Sequence, residues 1–278
     1  MNIGIRLHDT KPGTLRERLG YAAEQGFKCV QLAMGKAVPG FSMKDSPALL
    51  TEDLAAEVRE ELDRAGLSCA VLGCYLGLAA ADEEEAARVR EIYRAHLRFA
   101  AWTGAGCVGT ETPPVGCPDG EGCRTEEHFR LFMDRVRPLA REAEKLGVTL
   151  GIEPVCMHIV HNSALAERML EELDSPNVKI ILDAVNLVDS AHVEEADGII
   201  REAVRRLGGE VCVLHMKDYV PAPERPRPQE LPCGQGQMRY GALLKLARER
   251  SLPMTLECTS PDNAEEARKF LERIGAEI

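Results

Sequence analysis

The feature that most constrains this chain is a repeated change of period in its apolar pattern. Short runs rich in Val, Ile and Leu cover residues 2–7, 27–33, 67–74, 106–111, 148–153, 178–183, 211–215 and 253–257. Longer charged runs with helical spacing follow them over residues 14–25, 51–65, 82–103, 125–146, 162–173, 193–207, 238–250 and 261–274. Short continuous apolar runs fit strands buried on both faces, and the charged runs fit amphipathic helices that cover them. Eight strand–helix units in about 250 residues predict one α/β domain over residues 1–278, a single (β/α)8 TIM barrel. A doubly wound sheet would have fewer units and a Gly-x-Gly-x-x-Gly turn after the first strand, which is absent. Gly234-Gln235-Gly236 falls in a loop and reads as a turn, with its amides as a secondary candidate for substrate contact.

Local signals support the units. Thr14 with Glu17 and Asp82 with Glu85 have capping-box spacing, and Ser260 before Pro261 reads as a cap before a first-turn proline. Gly26, Gly66 and Gly147 stand where a left-handed turn returns the chain to the sheet. The proline-rich stretch 221–232 reads as a long loop on the catalytic face between the seventh strand and its helix.

Composition excludes some classes of function. The chain is 45% hydrophobic but only 4% aromatic, so aliphatic side chains must do most of the packing. A formal charge of −11 argues against nucleic-acid or anionic-membrane partners, which need a basic face. The first residues carry no basic or apolar leader pattern, and the uncharged stretch 67–81 is shorter than the roughly 18 residues of a membrane span. These features lead to an expectation of a cytoplasmic protein. Ten scattered cysteines, several in apolar runs (Cys29, Cys69, Cys107, Cys212), read as buried reduced thiols. Cys117 and Cys123 share one loop, lack the spacing of a zinc site and read as free thiols.

In a TIM barrel, functional groups sit at the C-terminal strand ends. Here the ends read His8, nothing charged on the second strand, Cys74, Glu111, Glu153, Asp183, His215 and Glu257. The last four are consecutive, and each follows an aliphatic run. Three neighbouring carboxylates would repel one another and lose hydration, a conflict that a divalent cation resolves. Three carboxylates and one imidazole suit manganese, magnesium or cobalt (Mn²⁺, Mg²⁺, Co²⁺), and Zn²⁺ also fits.

These endings, with Ile-Glu153-Pro, Leu-Asp183, Leu-His215-Met-Lys-Asp and Leu-Glu257, resemble the xylose isomerase-like TIM-barrel superfamily along essentially the whole chain. More narrowly they are similar to its sugar phosphate isomerase/epimerase branch. The resemblance implies that Glu153, Asp183, His215 and Glu257 hold one divalent metal. It also implies that Glu153 and Glu257 face each other across a small sugar or sugar-like polyol as acid and base. The reaction would be metal-dependent isomerisation or epimerisation, by proton abstraction next to a carbonyl and a metal-stabilised ene-diolate. A dehydratase of an inosose-like polyol is the alternative. An endonuclease IV-like hydrolase fits less well, because its three-zinc cluster needs several more histidines than this chain, with seven in all, places at strand ends. A barrel that only binds sugar is disfavoured by the paired glutamates. The branch also implies a homo-oligomer, often a dimer or tetramer. One departure stands out: many epimerases of the family have Asp-x-x-His on the sixth strand, and this chain has Asp183-Ala-Val-Asn186, which can hydrogen-bond but cannot shuttle a proton.

His8, Glu111, His158, Asn186 and Lys217 are the candidate substrate contacts. His158 lies in the loop after strand five, Glu111 ends strand four, and Lys217 shares a strand face with His215 by alternation. His161 reads as a capping or surface residue, and Phe99 and Trp102 as helix packing. Arg225, Arg227 and Arg239 could meet a phosphate but lie in no phosphate motif.

Overall fold

Each of the eight aliphatic runs is a strand in the computed structural model, which describes residues 1–113, 115 and 121–277. The strands are β1 (Ile3–Arg6), β2 (Cys29–Leu32), β3 (Ser68–Gly73), β4 (Val108–Glu111), β5 (Leu150–Glu153), β6 (Val178–Asp183), β7 (Val211–Met216) and β10 (Met254–Leu256). They close a barrel in the order β1-β10-β7-β6-β5-β4-β3-β2, all pairs parallel. The helices are α1 (Leu15–Glu24), the short α2 (Met34–Ala37) and α3 (Ser46–Leu49), α4 (Glu52–Ala65), α5 (Glu83–Thr103), α6 (Glu126–Leu146), α7 (Ser163–Leu173), α8 (Ala196–Leu207), α9 (Gly241–Arg250) and α10 (Ala264–Ala276). None of them is long and apolar enough to cross a membrane.

The helix starts follow their local chemistry. Thr14 and Glu17 form a reciprocal capping box, and the Asp82 side chain accepts from the Glu85 amide. Gly66 and Gly147 end α4 and α6 at φ 65°. The cap expected at Ser260 is displaced: α10 begins at Ala264 after Asn263, whose side chain accepts from the Ser260 amide. The loop expected at 221–232 is likewise corrected. Within it β9 (Gln229–Leu231) pairs with β8 (Asp218–Val220) just before it, leaving the prolines mainly in the turn between them. Phe99 is fully buried and Trp102 packs partly buried against the core, as read from their spacing. Cys29, Cys69 and Cys107 are buried free thiols, and Cys212 is free but only partly covered. Cys123 is disulfide-bonded, which corrects the free thiol expected there, while Cys117 lies outside the described residues.

Small residues decide what fills the barrel. Cys29, Val71, Cys107, Ile181 and Val213 form a buried cluster separate from the main core. Gly109 and Gly151 leave room for it: a Cβ on Gly109 would fall 2.5 Å from Val71 and 2.9 Å from Ile181, and one on Gly151 2.9 Å from Ile181. Two residues further along the strands, alternation puts Gln31, Glu111, Glu153, Asp183 and His215 on the same side, above this apolar floor.

Away from the mouth, one buried base ties stability to pH. His96 on α5 is fully buried, with Nδ1 2.9 Å from the Ile92 carbonyl and no hydrogen-bond partner for Nε2. Burial holds its pKa down at about 4. An unfolded histidine takes its proton near 6.5, so between pH 6.5 and 4 the unfolded chain binds more protons and stability falls with pH. The loss from this group is up to about 3 kcal/mol. Urea midpoints at pH 7 and pH 4.5 should fall further for the native protein than for His96→Leu; equal falls would contradict this account.

Candidate metal centre at the barrel mouth

Three of the expected ligands converge. Glu153 ends β5, Asp183 ends β6 and His215 lies on β7, and all three are buried with one ligand atom each within 4.8 Å of the others. Asp183 pairs with His215 in the β6–β7 register, and Glu111 with Glu153 in the β4–β5 register, so neighbouring strands deliver their polar ends at matching heights. Asp183 is oriented by its own backbone turn. Its Oδ1 accepts from the amides of Val185 (3.0 Å) and Asn186 (3.1 Å), and Oδ2 has no hydrogen-bond partner.

Glu257, just past β10, stands outside this tight set. Its Oε1 is 3.4 Å from His215 Nδ1 and 3.6 Å from Arg6 Nη1, and its Oε2 is 3.6 Å from Lys217 Nζ. On the other side, Glu153 Oε2 is 3.1 Å from the same His215 nitrogen. Two ligand atoms about 2.0–2.2 Å from one divalent ion stand roughly 3.0–3.5 Å apart, the spacing seen around this imidazole. Neither ring nitrogen of His215 makes a hydrogen bond, although the residue is buried. An unpartnered buried imidazole beside carboxylates is what a metal ligand looks like without its ion, so these residues fit the group.

The electrostatics agree. Burial pulls the His215 imidazole down, but Glu153 and Glu257 outweigh it and hold it at about 9. A proton there neutralises the carboxylates, and a cation would displace it. Burial pushes Asp183 up to about 6. Burial also favours the neutral form of Glu257, but His215, Lys217 and Arg6 prevail and hold it at about 2.

The remaining candidates line or support this mouth. Glu111 lies 3.6 Å from His158 Nδ1; burial, then Glu153 and Glu257, push its carboxyl up to about 8. Burial takes His158 and His8 down to about 4. His8 lies in a 3₁₀ turn rather than at the strand end, and Arg6 is the last residue of β1. Lys217 is buried, with Nζ 3.0 Å from Asp183 Oδ2. Asn186 bridges Lys217 and Glu153. His161 Nδ1 meets the Ile159 carbonyl, and Asn162 caps α7 instead. Arg227 pairs with Glu230. Arg239 is exposed near Asp197, away from the ligand set, and Gln235 lies in an exposed turn.

Four groups at the mouth escaped the strand-end reading. Arg6 and Gln31 could have been found by alternation within β1 and β2. Tyr75 follows β3, with its ring over Gly73 and its hydroxyl accepting from Gln31 Nε2 at 2.7 Å. Glu230 comes from the hairpin, on β9, in a stretch whose prolines predict a loop. Asp218 anchors that hairpin, accepting from the amides of Tyr219, Gly234 and Met238.

The xylose isomerase-like TIM barrel family model matches residues 19–274. The chain belongs to this family. Among solved structures, this xylose isomerase-like barrel is similar to 3-keto-D-glucoside 4-epimerase from E. coli, with 19% identity and a TM-score of 0.74 over 98% of this chain and 99% of that one. It is also similar to the probable 3-DHS dehydratase of petrobactin synthesis from Bacillus anthracis, with 15% identity and a TM-score of 0.75 over 99% and 98%. A third similar structure is a xylose isomerase-like TIM barrel protein from Mycobacterium smegmatis in complex with magnesium, with 17% identity and a TM-score of 0.72 over 100% and 96%. No curated protein sequence matches the chain.

Proposed function

We propose that this protein is a divalent-metal-dependent isomerase or epimerase of a small sugar or sugar-like polyol, working by proton transfer next to a carbonyl. The observation that carries the reading is the pair of carboxylates, Glu153 and Glu257, brought from β5 and β10 to within 3.1 and 3.4 Å of one buried imidazole nitrogen. Glu153, Asp183, His215 and Glu257 would hold the ion. When bound, a divalent ion supplies Lewis acidity that polarises the substrate carbonyl and acidifies the neighbouring C–H. Manganese, magnesium, cobalt and zinc all suit the donor set, and a structural neighbour named with magnesium supports this class.

Glu153 and Glu257 are the proposed acid–base pair, one taking the proton from carbon and the other returning one. Lys217 supplies positive charge toward the enediolate that forms, and its burial makes that charge act in a medium of low dielectric. Glu111 and His158, 3.6 Å apart, together with His8 would contact substrate hydroxyls. A neighbour named as a sugar epimerase supports this reading.

A dehydratase is the second reading, favoured by Glu111. Dehydration starts with the same proton removal and then needs an acid for the departing hydroxyl. Burial favours the neutral form of the Glu111 carboxyl, which can provide that proton. A neighbour named as a probable dehydratase fits this alternative. Incubation with Mn²⁺ and a panel of ketoses in D₂O separates the outcomes. Isomerase or epimerase action places deuterium at C1 or C3 without change of formula. Dehydration removes one water from the product mass. No exchange and no water loss across the panel would remove both readings.

A further inference from the structure

Asn186 occupies the position where the family resemblance leads one to expect histidine, and both ends of its side chain are engaged within the site. Lys217 Nζ donates to Asn186 Oδ1 at 2.7 Å, and Asn186 Nδ2 donates to Glu153 Oε1 at 2.6 Å. The amide orientation follows from chemistry. An ammonium can only donate, so the atom facing it must be the carbonyl oxygen, and the amide NH₂ is left for the carboxylate. The opposite orientation would set donor against donor and acceptor against acceptor.

The chain of contacts continues outward. Lys217 Nζ also donates to Glu230 Oε1 at 2.9 Å, on β9 of the hairpin. Glu230 keeps 27% of its side chain exposed and pairs as well with Arg227 on the same hairpin. A continuous chain of polar contacts, Glu230–Lys217–Asn186–Glu153, therefore joins an exposed hairpin to a buried ligand. Its inner end matters because a carboxylate rotates easily about its last bond. With Oε1 taken by Asn186, Oε2 is the oxygen left facing His215.

The geometry points to Asn186 and Glu230 as positioning residues. Asn186 fixes which oxygen of Glu153 is offered to the ion, and Glu230 fixes Lys217 and, through it, the amide. This inference rests on the reading that Glu153 is a metal ligand. Asparagine meets the requirement because it is neutral, short, and able to accept at one end and donate at the other. Aspartate would oppose Glu153 with a second carboxylate, and leucine would remove the bond to each neighbour.

The test is calorimetric titration of the folded, metal-stripped full-length protein with Mn²⁺ alone, compared across variants. Outer partners of metal ligands are typically worth about 10–100-fold in affinity. Asn186→Leu and the equal-sized Asn186→Asp should each weaken Mn²⁺ binding by at least about tenfold. Glu230→Ala should weaken it severalfold, and Glu230→Gln, which keeps an acceptor for Lys217, should restore most of the loss. Lys217 also lies 3.0 Å from Asp183 Oδ2, so only the part of the Glu230 effect that Asn186 carries should vanish with it: Glu230→Ala should cost less in the Asn186→Leu background than in the wild type. Wild-type affinity in both Asn186 variants, or losses that multiply in the double variant, overturns the positioning role and leaves the proposed metal site standing. Failure of the wild-type protein to bind Mn²⁺ overturns the metal site, and this inference with it.

Discussion

Glu257→Gln is expected to lose about three orders of magnitude in turnover of any ketose that exchanges in D₂O, and Glu153→Gln a comparable amount. Glutamine keeps the size of the side chain and one oxygen for Arg6 or Lys217, which lie 3.6 Å from the two different oxygens of Glu257. What it removes is the capacity to hold a proton taken from carbon. General acid–base groups contribute about 10²–10⁴-fold, and these two also bear on the ion, so Mn²⁺ occupancy must be measured beside the rate. The informative signature is partial. If each glutamate serves one face of the substrate, a single variant still exchanges the proton on the face served by the other, while net epimerisation fails. Exchange from one epimer should therefore survive in Glu153→Gln and from the other in Glu257→Gln. Rates within tenfold of wild type in both variants, at full metal occupancy, would sink the acid–base assignment.

The barrel was legible because its signal is redundant. Eight period changes, with caps such as Thr14–Glu17 and turn glycines such as Gly66, all agree, and an error of a few residues at one end changes nothing. The ligand set was legible for a related reason. A polar residue directly after a short apolar run has few places to go in a parallel barrel, and Glu153, Asp183 and His215 follow Leu-Gly-Ile, Ile-Ile-Leu and Cys-Val-Leu. What could not be read were contacts made by loops and by inward residues one step short of a strand end. Arg6 is masked by His8 because the apolar run continues in sequence through Leu7, where the chain instead enters a 3₁₀ turn. Glu230 is hidden in a proline-rich stretch, and its hairpin is anchored by Asp218, which accepts from the adjacent Tyr219 amide and from the Gly234 and Met238 amides beyond β9. Asn186 stands out in the sequence as a departure from pattern, but its bond to Glu153 depends on a neighbouring strand, and no local spacing encodes it.

Adding Mn²⁺ to metal-free protein at about a thousandfold above its dissociation constant should raise stability by about 4 kcal/mol and the melting temperature by about 8 °C or more. The argument rests on what the protein already holds in place. Asp183 Oδ1 is fixed by two backbone amides, so Oδ2 is aimed before any ion arrives and little binding energy is spent on ordering it. Without the ion, the buried carboxylates have only Lys217, Arg6 and a protonated His215 to oppose them. Asp183→Asn isolates the effect. The asparagine oxygen can still accept from the Val185 and Asn186 amides, so the turn survives, but the atom replacing Oδ2 becomes an amide nitrogen that cannot ligate and faces the Lys217 ammonium. Thermal melts with EDTA and with Mn²⁺ should show the shift in the native protein and its near-abolition in Asp183→Asn. A shift of equal size in both proteins would mean that manganese binds elsewhere, and the convergence of Glu153, Asp183 and His215 would then need another explanation.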